Sequence, residues 1–211
     1  DILTRKKTLS FEIFPPNRED EKFTLIEKTI SAMDALNPDF ISVTYGALGN
    51  TLSNTVAIAS HIKNNTNAEP LAHFTCVAST KNKVDSICNE LNAAGIENIL
   101  TLRGDIPKDN NQPIFTDFKH ASDLAEYIHA SRPGTFMTAG ACYPEKHPEA
   151  FSMREDIDNL KKKQDAGMSF FTSQLFFDNE AFYQFLLAAR NAGITAPIIP
   201  GIMPVTNYNQ L

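Results

Sequence analysis

Several ionisable or amide side chains in the 211-residue chain stand inside, or directly after, a run of apolar residues. Glu12 lies among Phe11, Ile13 and Phe14. A carboxyl buried there without a paired cation keeps its proton to higher pH, which suits a general acid near neutrality. A structural carboxylate bridged to a Lys or Arg on a neighbouring strand has the same local sequence, and the run alone does not separate the two. Asp105 follows Arg103-Gly104 at the end of another run. It is a carboxylate able to stabilise developing positive charge, or a helix N-cap; by residue type alone the cap is the commoner role. Gly104 would let a ligand approach the backbone closely.

His73 sits between Ala72 and Phe74. A lone histidine in such a run is more often a hydrogen-bonded core residue than a ligand. No second histidine or carboxylate stands at ligand spacing, so no metal site is expected. His147 lies in the loop Pro144-Glu145-Lys146-His147-Pro148, where function concentrates or two prolines simply stiffen the chain. Lys161-Lys162-Lys163 is a phosphate clamp or, more usually, a solvated helix face. Thr44, Tyr45, Tyr143, Gln174 and Gln210 complete the polar groups at or beyond the ends of the runs. No serine or cysteine nucleophile has an evident base, and there is no P-loop. Such a set leaves the hard step to a cofactor.

The elements that must position these groups read as alternating strands and helices. Seven apolar runs (9–14, 40–46, 71–77, 98–104, 135–143, 170–177 and 197–205) recur roughly every 30 residues, the length of one βα unit. Their near-continuous apolar character fits strands buried on both faces. Helical spacing links Phe23, Ile26, Ile30, Met33 and Leu36, then Val84, Ile87 and Leu91 behind a capping Thr80. It also links Leu124, Tyr127 and Ile128, and Phe182, Phe185 and Leu186. Gly95, Gly167 and Gly193 stand at helix stops. The first run ends Phe14-Pro15-Pro16-Asn17, without the glycine-rich turn of an open nucleotide-binding sheet. The expectation is therefore an α/β fold, a (β/α)8 barrel forming one catalytic domain over 1–211. Seven units are visible, and the eighth strand and last helices are expected beyond Leu211. In such a barrel the functional groups sit at the C-terminal strand ends, where these side chains fall.

Composition excludes other classes. The chain is 42% hydrophobic and 21% charged, with net charge −6 and interspersed signs. No basic stripe points to nucleic acid. No apolar run approaches the roughly 20 residues that span a bilayer. Cys76, Cys88 and Cys142 are odd in number and widely spaced, which reads as free thiols in a reducing, cytoplasmic setting.

Taken together, Ser10-Phe11-Glu12-Ile13-Phe14-Pro15-Pro16, Val43-Thr44-Tyr45-Gly46-Ala47, His73-Phe74-Thr75-Cys76 and Leu102-Arg103-Gly104-Asp105 resemble the methylenetetrahydrofolate reductases. Tyr143-Pro144-Glu145-Lys146-His147-Pro148-Glu149-Ala150, Gln174-Leu175-Phe176-Phe177-Asp178 and Ile199-Pro200-Gly201-Ile202-Met203-Pro204-Val205 extend the resemblance, in order, over nearly the whole chain. It is to the bacterial-type catalytic domain. The resemblance implies bound FAD held without a Rossmann fingerprint, and NADH or NADPH as reductant. It implies a small-molecule folate substrate, 5,10-methylenetetrahydrofolate, reduced to 5-methyltetrahydrofolate for methionine synthesis. A homodimer or homotetramer is implied as well.

Position by position, the resemblance makes Glu12 the acid that helps open the folate's five-membered ring to an iminium. Asp105 would favour that cation electrostatically. Gln174 would hold the folate in one half-reaction and the nicotinamide in the other, and Gln210 would contact folate. Thr44, Tyr45, Ala47, His73, Arg103, Gly104, Asp105, Ala121, Tyr143, His147, Ala150, Asp156, Asn159, Lys162 and Lys163 fall on FAD-contacting or adjacent positions. The basic members suit a pyrophosphate. Lys162 is often arginine in relatives, and His120 stands where relatives often place an aromatic residue beside the adenine. Two other readings compete: a barrel fragment of impaired activity that only binds flavin, and a barrel lyase of unrelated chemistry. A Schiff-base lyase would want a lysine at a strand end, and none of the seven runs carries one.

Overall fold

The structure is a computed structural model that describes residues 3, 5–15, 23–45, 52–105 and 115–207. Ala47 and Gln210 lie outside the described residues. The chain forms two compact units, Asp1–Thr138 and Ala139–Leu211.

The first unit contains β1 (Ser10–Ile13), α1 (Phe23–Asp34), β2 (Phe40–Val43), α2 (Leu52–Asn65), β3 (Glu69–Thr75), α3 (Lys81–Ala93), β4 (Asn98–Leu102) and α4 (Ala121–Ser131). Strands β1 to β4 are parallel neighbours in sequence order, with Glu12 beside Ser42 and His73 beside Leu100. An open doubly wound sheet would reverse its order partway; this connectivity does not, and it is that of the (β/α)8 barrel. β5 (Met137–Cys142) runs into the second unit, which continues with α5 (Met153–Asp165), β6 (Phe170–Ser173), α6 (Asn179–Asn191) and β7 (Ile198–Ile199). There too the strands are parallel and in sequence order.

The apolar runs become strands because both of their faces are covered. All four residues of β2 and five of the seven in β3 are buried. In the first unit Ile41, Val43, Phe74 and Ile99 pack with Ile30, Ile58, Ile62, Val84, Ile87 and Leu124 from the helices. Thr80 caps α3, its hydroxyl accepting the Lys83 amide at 3.3 Å. Gly95, Gly167 and Gly193 follow α3, α5 and α6 with φ of +71°, +93° and +78°, the left-handed stop that glycine adopts freely.

Three expectations are corrected. The seventh run holds only two strand residues rather than nine, because Pro197, Pro200 and Pro204 cannot donate to a ladder. Leu36 falls beyond α1 and is 61% exposed, so the buried stripe of that helix is Ile26 and Ile30. Glu12 is not enclosed by its apolar neighbours: its side chain is 49% exposed, and Phe14 beside it is open to solvent.

Candidate active site

The C-terminal ends of β1, β2 and β3 bring three polar side chains of the first unit together. One Glu12 carboxylate oxygen, Oε2, lies 3.5 Å from the Ser42 hydroxyl and 3.6 Å from His73 Nε2. Desolvation holds the Glu12 carboxyl above its ordinary value, and the Ser42 hydrogen bond works in the opposite direction. Burial alone drives the His73 imidazole down to about 4, so the ring is neutral at physiological pH. The raised carboxyl expected from the sequence is present, although its enclosure is partial. No lysine or arginine pairs with Glu12 among the described residues; its contacts are a hydroxyl and a neutral ring.

Among the described residues, two buried polar atoms here have no hydrogen-bond partner, His73 Nε2 and Tyr45 Oη. Tyr45 follows β2, packs 5.8 Å from the Phe74 ring, and has its phenol pushed up by desolvation. The Lys83 ammonium lies 5.9 Å from the Tyr45 ring centroid. A buried polar group left unpaired costs about 1–3 kcal/mol. Two of them, one on β3 and one just after β2, mark a place built to receive a partner.

Arg103 is half-buried and Asp105 exposed beyond β4. Gly104 has φ +85°, and a Cβ there would meet Thr75 Cβ and Val77 Cγ2 at 3.0 Å. Backbone conformation and packing against Thr75 and Val77 therefore both call for glycine here. The N-cap of α4 is His120, whose amide donates to Asp123 at 2.9 Å. Ala121, the first residue of α4, is buried. The Thr44 carbonyl accepts the Thr55 hydroxyl at 3.1 Å.

In the second unit the loop after β5 is tied to α5. The His147 amide donates to Asp156 Oδ2 at 2.8 Å, and the Tyr143 and His147 rings meet edge-on at 4.6 Å. His147 Nδ1 accepts the Glu149 backbone amide at 3.1 Å. Lys146 adopts φ +75° and donates to the carbonyls of His147 and Ala150 at 2.9 and 2.6 Å. Along α5, the Lys162 ammonium donates to Asn159 at 3.0 Å and that of Lys163 to the Ala141 carbonyl at 2.7 Å. Asp156, Asn159 and Lys163 therefore line one side of the helix, at spacings of three and four. Gln174 is exposed just after β6 and is anchored through its backbone N–H to the Cys142 carbonyl at 2.8 Å.

The sequence reading passed over Ser42 and Lys146. Ser42 had one available signal: it is the polar residue in Phe40–Val43, beside Glu12 on the neighbouring strand. Lys146 had none, because its role depends on a positive φ.

A sequentially wound parallel α/β chain with acid, imidazole, amide and basic groups at its strand ends has the makings of a barrel enzyme. A family model for methylenetetrahydrofolate reductase matches residues 1–211, and the chain belongs to that family. It is 39% identical over 202 residues to the 5,10-methylenetetrahydrofolate reductase of Escherichia coli (strain K12), covering 96% of this chain and 66% of that protein. It is 37% identical over 214 residues to a probable methylenetetrahydrofolate reductase (NADH) of Oryza sativa subsp. japonica, covering 96% of this chain and 36% of that protein. The chain thus spans just under two thirds of the bacterial relative and about a third of the plant one. Among solved structures, it resembles phosphoenolpyruvate phosphomutase from Streptomyces platensis subsp. rosaceus with TM-score 0.63 at 11% identity, covering 95% of this chain and 78% of that one. Oxaloacetate acetylhydrolase superposes with TM-score 0.60 at 12% identity, covering 94% and 78%. At such identities the likeness concerns the fold alone.

Proposed function

We propose that this chain supplies the catalytic barrel for reduction of 5,10-methylenetetrahydrofolate to 5-methyltetrahydrofolate, with FAD as cofactor and NADH or NADPH as reductant. The observation that carries the reading is the strand-end cluster of Glu12, Ser42 and His73, in a chain of this family. FAD fits the residues present: Tyr45 Oη and His73 Nε2 are buried and unpaired, and a polar heterocycle offers both of them partners. When bound, FAD supplies hydride transfer between nicotinamide and folate.

The chain's own residues bind, orient and move a proton. Glu12, its carboxyl held above the usual range, gives that proton to the folate nitrogen as the ring N–C bond breaks. The bond's electron pair stays on nitrogen and Glu12 is left as carboxylate. Asp105 favours the resulting cationic carbon centre through its charge. Gln174, exposed beyond β6, hydrogen-bonds folate in one half-reaction and nicotinamide in the other. Tyr45, His73, Lys162 and Lys163 hold the cofactor, the two lysines meeting phosphate.

The test uses the full-length protein. It should purify yellow, or become so with added FAD, and its flavin band should bleach anaerobically with NADH or NADPH. Glu12→Gln should keep that bleaching and nearly abolish reoxidation by methylenetetrahydrofolate. A protein that takes up no FAD, or a Glu12→Gln variant that loses both half-reactions together, would sink the reading.

A further inference from the structure

Glu12 and Ser42 are register partners on β1 and β2, so their side chains leave the sheet on the same face. Ser42 is 6% exposed, inside a strand that is otherwise apolar. Its hydroxyl donates to Glu12 Oε2 at 3.5 Å, and among the described residues it makes no other hydrogen bond. A hydroxyl buried without a partner costs about 1–3 kcal/mol, so a serine here is explained by the carboxyl beside it. His73 Nε2 approaches the same oxygen, at 3.6 Å. Both neighbours approach Oε2, and Oε1 has no hydrogen bond among the described residues. The open side of the carboxyl is therefore Oε1, on a side chain that is 49% exposed.

We propose that Ser42 is a positioning residue for the acid step: by donating to Glu12 Oε2, it turns the carboxyl so that Oε1 carries the proton and faces the substrate. This rests on the folate reading given above. While Glu12 is protonated on Oε1, Oε2 is the carbonyl oxygen that accepts the Ser42 hydrogen. When the proton passes from Oε1 to the substrate nitrogen, Oε2 gains negative charge and the same hydrogen bond strengthens. Ser42 thus holds the acid before transfer and stabilises the carboxylate after it. His73, its neutral ring 3.6 Å from the same oxygen, confines the carboxyl from the β3 side.

The test measures the two half-reactions separately, in the full-length FAD-loaded protein. Ser42→Ala should bind FAD and be reduced by NADH or NADPH within about twofold of the parent. Its reoxidation by methylenetetrahydrofolate should slow about tenfold, the loss expected for one charge-assisted hydrogen bond. Ser42→Thr keeps the hydroxyl and should recover most of that rate. A Ser42→Ala folate step within twofold of the parent overturns the proposal. So does an equal loss in both half-reactions, which marks a structural role only. Glu12→Gln run alongside separates the two claims: if it also spares the folate step, the acid assignment itself has failed. If Glu12→Gln blocks that step while Ser42→Ala does not, only the positioning role is lost.

Discussion

His73 Nε2 lies 3.6 Å from Glu12 Oε2, yet the two form no ion pair at neutral pH, because burial holds the imidazole down to about 4. The unfolded chain takes up that proton near the ordinary value of 6.5, so between the two values the unfolded state binds more protons. The stability due to this group is fully present above about 6.5 and is lost as pH falls towards 4. The loss amounts to about 3 kcal/mol at its largest. Urea unfolding between pH 7.5 and 4.5 should show this decline in the parent and a flatter profile in His73→Gln. Parallel profiles would mean that His73 is charged in the folded protein.

Given the acid role proposed above, the raised Glu12 carboxyl predicts a pH dependence for the proposed folate half-reaction. An acid must be protonated to act, so the single-turnover rate should fall as pH rises through the Glu12 value. Desolvation places that limb above 4.5, the ordinary carboxyl value. Glu12→Gln, which cannot ionise, should lose the limb along with the rate. A limb unchanged in Glu12→Gln would assign the titration to another group.

Most strand runs were legible because several are nearly continuous in apolar residues, and the helix stops because glycine takes a positive φ without strain. Two helices were not. In α2 the buried face is Thr55, Ile58, Ala59 and Ile62, where a threonine and an alanine dilute the apolar stripe. In α5 only Ile157 and Leu160 are buried, in a helix dominated by charged residues. Of the candidate site, Glu12 and His73 stood out as polar groups in apolar runs. Their closeness did not, since it follows from the registers of three parallel strands. Ser42 gains meaning only from the β1–β2 register, which places it beside Glu12. How far Glu12 is enclosed depends on which side chains cover the β1 face, and a one-dimensional pattern carries no such information.

Arg132 clamps the end of α4 to α3. Its guanidinium donates to Asp85 Oδ1 at 2.7 Å, to the Asp85 carbonyl at 3.0 Å and to Asn89 Oδ1 at 3.0 Å, while the Tyr127 hydroxyl donates to Asp85 Oδ2 at 3.0 Å. The Arg132 hydrogen bond is the largest cause of the lowered Asp85 carboxyl. That contribution is present above the unfolded value of 3.8 and disappears as pH falls through the folded one. Arg132→Ala should lower Tm by a few degrees at pH 7, with Arg132→Lys between it and the parent, because lysine keeps the charge but not the fork. The difference should shrink in acid. A lysine variant as stable as the parent would show that charge alone matters.

All three thiols should be silent in the native protein. Burial pushes Cys76 and Cys142 up to about 12 and Cys88 up to about 11. Only the thiolate attacks a disulfide reagent, and at pH 7.5 it is under about one part in a thousand for such thiols. Cys76 also gives its hydrogen to the His120 carbonyl at 3.2 Å. A chromogenic disulfide titration should report no fast-reacting thiol in the folded protein and all three after denaturation. Rapid labelling of one thiol in the native state would contradict its burial.

Two glycines of the second unit should respond differently to a methyl group. Gly201 donates its amide to Ser173 Oγ at 2.9 Å, and a Cβ there would overlap the Ser173 carbonyl oxygen. That oxygen is backbone at the end of β6, which pairs with β7 through Phe171–Ile198 and Thr172–Ile199. It can move only by pulling on the ladder. At Gly140 a Cβ would meet Met168 Sδ at 2.5 Å and the Phe171 ring at 3.3 Å. Met168 is buried, but its thioether has rotamers to spare. Overpacking of this kind costs about 1–3 kcal/mol where side chains can yield, and more where backbone must. Gly201→Ala should therefore unfold at lower urea than Gly140→Ala. It should also slow the folate step, since Gln174 directly follows the displaced carbonyl. If Gly140→Ala were the less stable of the two, or if Gly201→Ala matched the parent in both measurements, the close packing of the Gly201 backbone on Ser173 would be wrong.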